Sequence, residues 1–565
     1  MTSRREFIGR TALAAAGLSL PSAPVAREAT TAAAPRRYLD IHRAPDRVTV
    51  QSATRDVRLV RENEGRWTSD GIAVTTIEHG DAIRVSLMSP GTAAKRIHLR
   101  WRGDLTDVRL ILGDAWERGY GDLEWRAWVP DRVMPWYAAT SDGELTHAYG
   151  VRTGARAFCF WQIDPQGVSL WADVRSGGLG VQLGERTLDV CDVVSRAGRG
   201  GESAFAAVHD FCRQMCPSPR LPSQPVYGSN DWYWVYGRNS ADTVRVDARH
   251  IVELSPAGGN RPFAVIDDGW QPERSATKTG VGTWDHGNEK FRDMPGLAAE
   301  IRSIGARAGI WIRPLQAMVN SPDGWRLPRD RTFLDPSVPD VLHKVAEDVA
   351  RLRQWGFDLI KHDYTTYDVF GRWGMQMGAA MTRDGWTFAS GATRTTAEVI
   401  DELYRAIRTA AGDGVVIGCN TVSHLSAGHF ELCRVGDDTS GTEWSRTRKM
   451  GVNTLAFRGA QHGAFYVADA DCVGVTNAIP WSLNRQWLDL LGRSGTTLFV
   501  SIAPDALGDE QRRDLRAALA LAAVPQPLAE PVDWQHAVYP TRWRLGRREH
   551  SYDWVGPDGA GLPML

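Results

Sequence analysis

Lys361 and Asp363 are the two residues of this chain whose types and spacing point most directly to chemistry. They follow the apolar segment 357–360, which predicts a short buried strand. Because residues two apart in an extended chain point to the same side, the two side chains are expected to lie together. A neighbouring cation favours the ionised form of a carboxylate. The pattern therefore indicates a nucleophile or a general base, with a strand-end salt bridge as the alternative.

Asp267 and Asp268 follow a second apolar segment, 263–266, and precede Gly269 and Trp270. Paired carboxylates beside an aromatic ring suit a sugar, because the carboxylates accept hydrogen bonds from hydroxyl groups and the ring stacks on a C–H face. A divalent metal site and a surface Asp-Gly turn are the alternatives. An apolar strand that places both acids argues against the simple turn.

Arg434, Asp437 and Asp438 follow the segment 430–433. A carboxylate here would face the one at position 363 if both segments were strands of one barrel. Glycoside hydrolysis needs such a pair, because one group acts as nucleophile or base while the other protonates the leaving oxygen.

Polar or aromatic residues also end three further apolar segments: Trp311 and Arg313, Cys419 and Asn420, and Asp469 and Asp471. Trp311 and Arg313 share one side of a strand, so an aromatic ring lies beside a guanidinium group that can donate hydrogen bonds. Cys419 predicts a small packed wall rather than a nucleophile. The two aspartates are expected to support the site or cap a loop.

Short apolar segments alternate with helical segments after residue 225, which predicts parallel βαβ units. The predicted strands are 227–235, 263–266, 308–312, 357–360, 414–418, 432–435, 464–467 and 496–502, and the predicted helices are 240–254, 296–304, 338–355, 395–411, 446–460 and 482–491. Eight units fit a (β/α)8 TIM barrel, with a doubly wound sheet as the alternative. A barrel predicts chemistry at the carboxyl ends of its strands, where the polar residues lie.

The chain on either side of this region predicts other architectures, so the expected fold is multidomain. An N-terminal antiparallel β-sandwich is predicted for 36–219, the barrel for 225–508, and a C-terminal helix with a short β-rich tail for 509–565. The predicted sandwich strands are 48–50, 83–87, 97–101, 108–112, 157–163 and 168–174, followed by a helix at 204–215. The predicted tail elements are a helix at 509–522 and strands at 537–539 and 541–545.

Length and composition set the class of protein. A chain of 565 residues is too long to fold around a single hydrophobic core, so more than one domain is expected. The 66 basic and 67 acidic residues nearly balance, which argues against nucleic acid or an anionic membrane as a partner. The 23 Trp residues outnumber both Tyr and Phe, so flat platforms for sugar rings are expected beside a Trp-rich core.

The first 35 residues predict an export signal. The segment 3–9, SRREFIG, resembles a twin-arginine signal, and the Ala-rich segment 11–20 is weakly hydrophobic. The expected location is therefore periplasmic or extracellular, with an amphipathic tail as the alternative. The apolar run is too short for a membrane span, and no later segment qualifies.

The seven cysteines are scattered and odd in number, so no disulfide framework is expected. Cys212 and Cys216 are predicted to share a helix face rather than to pair. His424 and His429 are predicted to be loop or packing residues, with a metal role as the less favoured alternative.

Together these segments resemble the α-galactosidase clan of retaining glycosidases, closest to glycoside hydrolase family 36 with features of family 27. The resemblance covers 227–502 and rests on motifs in matching order: IDDGW at 266–270, GIWIRP at 309–314, KxD at 361–363, GCN at 418–420, RxGxDT at 434–439 and DxDC at 469–472. A β-sandwich before the barrel is also the arrangement of family 36.

The resemblance implies a role for each matching residue. Asp363 matches the nucleophile, and Asp438 matches the general acid/base, or Asp437 if the register slips by one. The implied substrate-binding residues are Asp267, Asp268, Trp270, Trp311, Arg313, Lys361, Cys419, Asn420, Arg434, Trp232 and Trp234. A retaining mechanism implies carboxyl groups roughly 5–5.5 Å apart, with no metal or organic cofactor. The drier Asp438 is expected to have a raised pKa.

The chain departs from the family pattern at several points. Residues 364–368, YTTYD, replace apolar residues after the nucleophile match, and His362 fills the middle of the KxD motif. The sequence ADAD stands at 468–471 where N-D-P-D is common, and the C-terminal β-domain is short. These departures affect the expected sugar and leaving group more than the chemistry.

The expected function is that of a retaining, exo-acting hydrolase of α-galactosides or glycosides of a closely shaped sugar, working through a glycosyl-aspartate intermediate. The expected substrate is an oligosaccharide or a glycoside. Relatives with the same site suggest glycosyl transfer, or β-L-arabinopyranosidase or α-N-acetylgalactosaminidase specificity, as alternatives. A non-catalytic carbohydrate-binding protein on a barrel scaffold and a divalent-metal hydrolase using Asp267 and Asp268 are alternatives from other classes. The oligomeric state is left open.

Overall fold

The structure, a computed structural model, describes residues 38–272, 284–318, 320–557 and 559–560. The predicted leader at 1–35 lies outside these residues. From Tyr38 onward the chain forms one compact unit. Among the described residues, no helix combines the length and the apolar character that crossing a membrane requires.

The first part of the described chain forms two antiparallel sheets. Its strands are β1 (Arg47–Ser52), β2 (Asp56–Arg58), β3 (Val60–Asn63), β4 (Arg66–Ser69), β5 (Ile72–His79), β6 (Ala82–Met88), β7 (Ala94–Arg102), β8 (Leu110–Gly113), β9 (Met134–Pro135), β10 (Tyr137–Ser141), β11 (Thr146–Val151), β12 (Phe158–Asp164), β13 (Gly167–Asp173) and β14 (Leu188–Arg196). One sheet has the order β2-β1-β7-β13-β12-β9, and the other β3-β4-β5-β6-β14-β11-β10-β8. The rings of Tyr149 in the second sheet and Trp161 in the first lie 6.2 Å apart. The predicted antiparallel architecture is therefore present.

Helix α1 (Ala204–Met215) follows the sheets with the bounds that the sequence predicts. The side chain of Ser203 caps it by accepting from the N–H of Ala206. Cys212 lies on the buried face of the helix, and Cys216 is the residue that caps its end. All seven cysteines are free and buried, as expected for Cys212 and Cys216.

A parallel sheet of nine short strands follows. These are β15 (Tyr227–Asn230), β16 (Phe263–Ile266), β17 (Arg307–Ile312), β18 (Leu359–His362), β19 (Val415–Gly418), β20 (Leu432–Arg434), β21 (Val467–Asp469), β22 (Cys472–Val475) and β23 (Leu498–Ile502). Their order is β21-β20-β19-β18-β17-β16-β15-β23-β22. Almost every strand residue is buried, as in a parallel sheet covered on both faces. The predicted parallel βαβ construction is confirmed.

Helices lie between most of these strands, although β21 and β22 are joined without one. Most of the predicted helices end near the predicted positions. They are α2 (Trp232–Val235), α3 (Ala241–Leu254), α4 (Met294–Ile304), α5 (Pro339–Trp355), α6 (Thr365–Phe370), α7 (Thr396–Ala411), α8 (Ser423–Ser426), α9 (Trp444–Thr447), α10 (Thr454–Arg458), α11 (Trp481–Ser494) and α12 (Asp509–Ala522). Capping boxes begin α3 at Ser240 and α7 at Thr395. Gly305 and Gly356, in the left-handed conformation, end α4 and α5. Short 3-10 turns lie at Asp323–Trp325, Gly374–Gln376, Gly459–Gln461 and Pro504–Ala506.

Two predicted elements of the parallel part are cut short or interrupted for local reasons. The predicted strand 227–235 ends at Asn230, because the Asn230 side chain accepts from the N–H of Trp232 and turns the chain into α2. The predicted helix 446–460 is interrupted by a π-helical segment at Arg448–Asn453. There the hydroxyl of Thr454 donates to the carbonyl oxygen of Gly451, and so competes with regular helical hydrogen bonds.

The C-terminal part contains α12 and a small antiparallel sheet of β24 (Glu530–Pro531), β25 (Arg542–Leu545) and β26 (Arg548–Ser551). Strand β25 confirms the predicted strand at 541–545. The predicted strand at 537–539 is wrong, because the N–H of Ala537 closes a turn onto the carbonyl oxygen of Asp533. The ring of Trp534 packs on Trp125, so the tail contacts the segment between β8 and β9.

Candidate active site

The carboxyl ends of the parallel strands bring several of the sequence-predicted residues together. Strand β18 lies two residues further along than predicted, so that Lys361 is inside the strand and Asp363 follows its end. Lys361 lies opposite Trp311 in the pairing of β17 with β18. On the far side, Arg434 lies opposite Asp469 in the pairing of β20 with β21.

Cys419 follows the end of β19, and its N–H donates to the carbonyl oxygen of His362 at 2.9 Å. Burial raises the pKa of its thiol most strongly, and the charges of Arg434 and Asp363 act on it next. Lys361 and Arg118 also influence this thiol. Cys419 is only 1 % exposed, so it is a packed residue; its place in the wall of the site stays a prediction.

Asp363 is held by three backbone or side-chain groups. Its N–H donates to the carbonyl oxygen of Ile312 at 3.0 Å. Its carboxylate accepts from Trp311 Nε1 at 3.2 Å and from the N–H of Tyr364 at 2.7 Å. The half-buried carboxylate is therefore fixed in orientation but still reachable.

Lys361 pairs with Asp267 rather than with Asp363, which corrects the salt bridge considered from the sequence. Lys361 Nζ lies 2.7 Å from Asp267 Oδ2, and Asn230 Nδ2 donates to the same oxygen at 2.7 Å. Burial opposes the charge of Lys361, but the adjacent Asp267 holds its pKa well above the usual range. Asp267 is therefore a buried anchor for Lys361, and this oxygen is already occupied by a cation.

Asp231 was missed by sequence reasoning, although it follows a strand end as Asp267 does. Its Oδ1 accepts from the N–H of Asp267 at 2.9 Å, and its Oδ2 accepts from Asn239 Nδ2 at 3.0 Å. Burial, and then the negative charge of Asp267, raise the pKa of Asp231 to about 7. The rule applied to the other strand ends could have found it.

Asp268 and Trp270 differ in exposure. Asp268 is half-buried and accepts from Gln271 Nε2 at 2.6 Å. Trp270 is fully buried, donates from Nε1 to the carbonyl oxygen of Trp311 at 2.9 Å, and packs its ring on Trp284. The ring of Trp270 thus has no exposed face for a sugar and instead supports Trp311.

Arg313 binds a buried carboxylate rather than the open site. Arg313 Nε and Nη2 donate to Asp368 Oδ2 at 3.1 Å and Oδ1 at 2.7 Å. Burial raises the pKa of Asp368 to about 6, even though the positive charge of Arg313 acts in the opposite direction. The guanidinium also lies 4.0 Å from the ring of Tyr364.

Arg434 is the buried cation on the other side of the site. Its Nη1 lies 3.2 Å from Asp438 Oδ1, and its Nη2 lies 2.7 Å from Asp471 Oδ1. Its Nε lies 3.4 Å from Asp469 Oδ2. Asp469 and Asp471 thus support Arg434, which agrees with the supporting role expected from the sequence.

Asp437 and Asp438 are adjacent but differ in how they are bound. Asp437 is held at 2.6 Å by Arg118 Nη2 and at 3.0 Å by Arg446 Nη2, so each of its oxygens has an arginine. The Asp438 side chain is 44 % exposed and is bound by Arg434 through one oxygen. Of the two, Asp438 is the carboxylate available to a ligand.

The pKa of Asp438 lies below its ordinary value, which corrects the raised pKa expected from the sequence. Burial favours the neutral acid, but the positive charges of Arg434 and Arg118 outweigh this effect. Lys361 and Arg446 add to it. The sequence predicted that Asp438 is shielded from water, but it did not show how many cations surround this carboxyl group.

Arg118 reaches the site from the antiparallel part of the chain. The N–H of Gly119 donates to the carbonyl oxygen of Val435 at 2.8 Å, and the N–H of Asp437 donates to the carbonyl oxygen of Gly119 at 2.9 Å. This short bridge places Arg118 beside Asp437. Sequence reasoning missed Arg118, because no local pattern links it to the parallel strands.

Asn420 joins two loops instead of facing the open site. Its Nδ2 donates to Glu117 Oε2, and its Oδ1 accepts from the N–H of Tyr367 at 3.0 Å. Glu117 also accepts from the N–H of Gly374 at 2.7 Å, and its pKa is raised by burial. Asn420 therefore ties the segment after β18 to the antiparallel part.

The remaining predicted residues lie at the edge of the site or outside it. Trp234 Nε1 donates to Asp247 of α3 at 3.3 Å, so its ring lies on the helix side. Trp232 is half-buried beside Tyr236. Trp232 is thus the better placed of the two tryptophans for the floor of the site.

His424 and His429 lie outside this cluster, as packing residues. His424 stacks on Trp136 with ring centroids 4.7 Å apart, and burial lowers its pKa to about 4. His429 pairs with Asp401 at 2.8 Å. Among the described residues, no group of three or more His, Cys, Asp or Glu side chains is arranged to hold a metal ion.

No protein-family model matches the chain. Two curated relatives match over short stretches. The chain is 30% identical over 118 residues to an α-galactosidase of Escherichia coli, covering 20% of this chain and 15% of that protein. It is 27% identical over 139 residues to α-galactosidase AgaA of Geobacillus stearothermophilus, covering 22% of this chain and 18% of that protein. The matches thus span less than a fifth of each relative's length.

Solved structures match over most of the chain. The α-galactosidase TtGalA of Thermus thermophilus, in complex with p-nitrophenyl α-D-galactopyranoside, has a TM-score of 0.59 at 18% identity, covering 85% of this chain and 97% of that one. A variant of the Geobacillus family 36 enzyme AgaA, in complex with 1-deoxygalactonojirimycin, has a TM-score of 0.56 at 16% identity, covering 85% and 75%.

The fold is therefore that of the α-galactosidase class of glycosidases. More particularly, it is the fold of glycoside hydrolase family 36, and the resemblance noted from the sequence motifs is confirmed at this level.

Proposed function

We propose that this protein is a retaining, exo-acting glycoside hydrolase of the α-galactosidase kind. The observation that carries the proposal is the pairing of two differently held carboxylates. Asp363 is fixed by N–H donors from Trp311 and Tyr364, and Asp438 is partly exposed on the buried Arg434. A fixed carboxylate suits a nucleophile, and a reachable one suits an acid that exchanges protons with substrate and water.

In the first step, an oxygen of Asp363 attacks the anomeric carbon and forms a glycosyl ester. The bond between that carbon and the leaving oxygen breaks, and Asp438 transfers its proton to the leaving oxygen. In the second step, Asp438 takes a proton from water, whose oxygen attacks the anomeric carbon and releases Asp363. Two displacements restore the original configuration, and they need carboxyl groups roughly 5–5.5 Å apart.

The low pKa of Asp438 in the free site fits this cycle once the substrate is bound. A sugar that fills the site removes water from the half-exposed carboxyl group, and loss of water favours the neutral acid. Binding thus prepares Asp438 as a proton donor, while the unliganded site keeps it ionised through Arg434 and Arg118.

An α-galactoside is the sugar that the relatives favour. TtGalA was solved with stachyose, and a variant of AgaA was solved with raffinose. The half-buried Asp268 and the ring of Trp232 offer this chain a hydrogen-bond acceptor and an aromatic face for such a sugar.

We infer further that the parallel sheet is a (β/α)8 barrel whose seventh strand is broken. Strand β21 pairs with β20, β22 pairs with β23, and only Ala470 and Asp471 separate the two short strands. Asp471 adopts a left-handed conformation with φ 71°. The break lets its carboxylate reach Arg434.

We also infer export through the twin-arginine route. The SRREFIG segment supports it, and seven free buried thiols fit a protein that folds before it leaves a reducing compartment. Fusion of residues 1–35 to a folded reporter should direct export. Replacing Arg4 and Arg5 with Lys together should retain the reporter in the cell, and continued export would contradict this route.

The function is tested with p-nitrophenyl glycosides that differ in the sugar, and with the variants Asp363→Ala and Asp438→Ala. Asp363→Ala should lose turnover while circular dichroism stays native. Asp438→Ala should remain able to form the glycosyl ester from a substrate with a good leaving group, but release it slowly. Near-normal turnover by Asp363→Ala would show that the nucleophile is another group.

Retention of the anomeric configuration can be measured separately. Proton NMR of the first product formed should show the α anomer, followed by slow mutarotation. A 2-deoxy-2-fluoro glycosyl fluoride should label Asp363, which peptide mass spectrometry would locate. A first product in the β configuration would exclude the two-step mechanism.

A further inference from the structure

The segment after Asp363 carries three aromatic side chains that pack on one another: Tyr364, Tyr367 and Trp373, here called the aromatic cluster. Tyr367 and Trp373 are stacked with ring centroids 4.5 Å apart. Tyr364 lies 5.6 Å from Trp373 and 6.4 Å from Tyr367. All three residues are half-buried, so each keeps part of its surface open to solvent.

Two arginines hold the aromatic cluster from opposite ends. The guanidinium of Arg313 lies 4.0 Å from the ring of Tyr364, and that of Arg118 lies 5.3 Å from the ring of Trp373. Cation–π contacts of this kind fix a ring in place. Each guanidinium is also bound by its own carboxylate, as described above, so these two charges are neutralised. The cluster is thus a fixed aromatic surface supported by paired charges.

The aromatic cluster extends from the nucleophile candidate to the acid candidate. The N–H of Tyr364 binds Asp363, and Arg118 binds Asp437, next to Asp438. Burial raises the pKa of the Tyr364 phenol, and the negative charges of Asp363 and Asp438 act on it as well. The Tyr364 end of the cluster therefore lies beside Asp363, and the Arg118 end lies beside Asp437.

The chemistry of the reaction defines which side of the site this is. The acid protonates the oxygen that leaves, so the leaving group must lie against Asp438. The end of the aromatic cluster that contacts Arg118 lies on that side. A neutral ring is the ligand that suits half-exposed aromatic faces whose neighbouring charges are already paired.

We propose that the aromatic cluster is a leaving-group subsite, which stacks on the flat face of the ring attached to the reacting sugar. Its ligand is a neutral six-membered ring, either a second pyranose unit of an oligosaccharide or an aryl group. The proposal rests on the proposed glycosidase function and deepens it by assigning a substrate class. It also gives a role to the segment 364–368, where the chain departs from the family pattern.

The test compares substrates that share a sugar and differ in the leaving group: raffinose, p-nitrophenyl α-D-galactopyranoside and α-D-galactosyl fluoride. Trp373→Leu and Tyr367→Leu keep apolar bulk but remove the flat ring. They should raise KM for both ring-bearing substrates roughly tenfold, the expected weight of one aromatic contact. Hydrolysis of the fluoride, which has no leaving ring, should stay unchanged. A loss with raffinose alone assigns the subsite to sugars, and a loss with the aryl glycoside alone assigns it to aryl groups.

The matched control is Trp171→Leu, because Trp171 is also a half-buried tryptophan stacked on a neighbouring ring, His98, but lies in an antiparallel sheet. It should affect none of the three substrates. Equal losses on all three substrates in Trp373→Leu would overturn the proposal, because the ring would then be positioning Asp363. No loss on any of them would overturn it as well.

Binding supplies a readout that does not depend on turnover. In calorimetry with the Asp363→Ala variant, raffinose should bind more tightly than galactose, and adding Trp373→Leu should remove the difference. Equal affinities before that substitution would overturn the subsite. If the unsubstituted protein hydrolyses none of the substrates, including the fluoride, the proposed function itself fails and the subsite falls with it.

Discussion

Arg313 and Asp368 form a bidentate ion pair with distances of 3.1 and 2.7 Å, buried directly beneath the residue that follows the nucleophile candidate. Arg313 also contacts the ring of Tyr364, whose N–H binds Asp363. The pair therefore supports the position of Asp363 without touching it. The sequence predicted that Arg313 binds a sugar. That prediction identified Arg313 but not its partner, Asp368.

Replacing Asp368 with Asn should lower kcat and destabilise the fold. Removing one partner of a buried ion pair leaves an uncompensated charge, at a cost of about 3–5 kcal/mol. The pKa of Asp368 is about 6, so the native pair loses its negative charge as the pH falls through that value. The unsubstituted protein should thus show an acidic limb near pH 6 that Asp368→Asn lacks. Urea denaturation and pH–rate profiles check both effects.

Asp368→Glu serves as the conservative control, because it keeps the charge and lengthens the side chain. It should restore part of kcat and retain an acidic limb. An Asp368→Asn variant with native kcat and an unchanged limb would show that Asp363 does not depend on this pair.

Replacing Arg118 with Gln should move the basic limb of kcat to higher pH. Arg118 is one of the cations that lower the pKa of Asp438, so its removal raises that pKa. Asp438 must be protonated for the first step, and activity is lost as the pH rises through its pKa. The limb therefore shifts upward, as a pH profile measured at saturating substrate would record.

Arg446→Gln is the matched control for Arg118→Gln. Arg446 binds the other oxygen of Asp437 but has a smaller effect on Asp438. Its removal should move the limb in the same direction and by less. A larger shift in Arg446→Gln than in Arg118→Gln would contradict the electrostatic assignment.

Trp311→Phe and Trp270→Phe should separate catalysis from stability. Trp311→Phe removes the N–H that orients Asp363, so kcat should fall while KM changes little. Trp270→Phe removes a buried hydrogen bond to the backbone of Trp311, and should cost about 1–3 kcal/mol of unfolding free energy. Steady-state kinetics and thermal melts on both variants give the comparison. The same effect from both substitutions would mean that neither ring has the role assigned here.

Asn420→Asp should destabilise the protein, and more so as the pH rises. The new carboxyl group would face Glu117, whose carboxylate now accepts from Asn420 Nδ2. At low pH one acid can donate to the other, but at higher pH two ionised groups repel each other, which costs about 2–4 kcal/mol. Thermal melts at pH 5 and pH 8 measure the effect. Asn420→Ala, which removes the donor without adding charge, should show a loss that varies less with pH.

The sequence located the strand ends because that signal is local. Apolar runs followed by Lys361, Asp363, Arg434 or Asp438 identify both the strand and the edge of the sheet where its polar residues lie. The apolar runs do not show which way the side chain at the end of a strand points. Trp270, for example, was expected to face the site, and yet its ring packs on Trp284 inside the core.

Long-range partners were missed for a different physical reason. Glu117 and Asn420 are 303 residues apart, and no periodicity or spacing links them. The same holds for Arg118 and Asp437, whose pairing decides which of two adjacent aspartates is free. The expected raised pKa of Asp438 was wrong on this account, since part of the opposing charge comes from Arg118.

The backbone bridge between Gly119 and its partners at 435 and 437 has a consequence for how the chain assembles. Contacts between segments this distant in the chain form late in folding, because the loop entropy must be overcome before the contact can stabilise anything. The parallel strands can thus collapse and bury their core while Asp438 still lacks its complete surroundings. In a refolding time course, recovery of activity should lag behind recovery of tryptophan fluorescence, and that delay measures the docking of the antiparallel sheets.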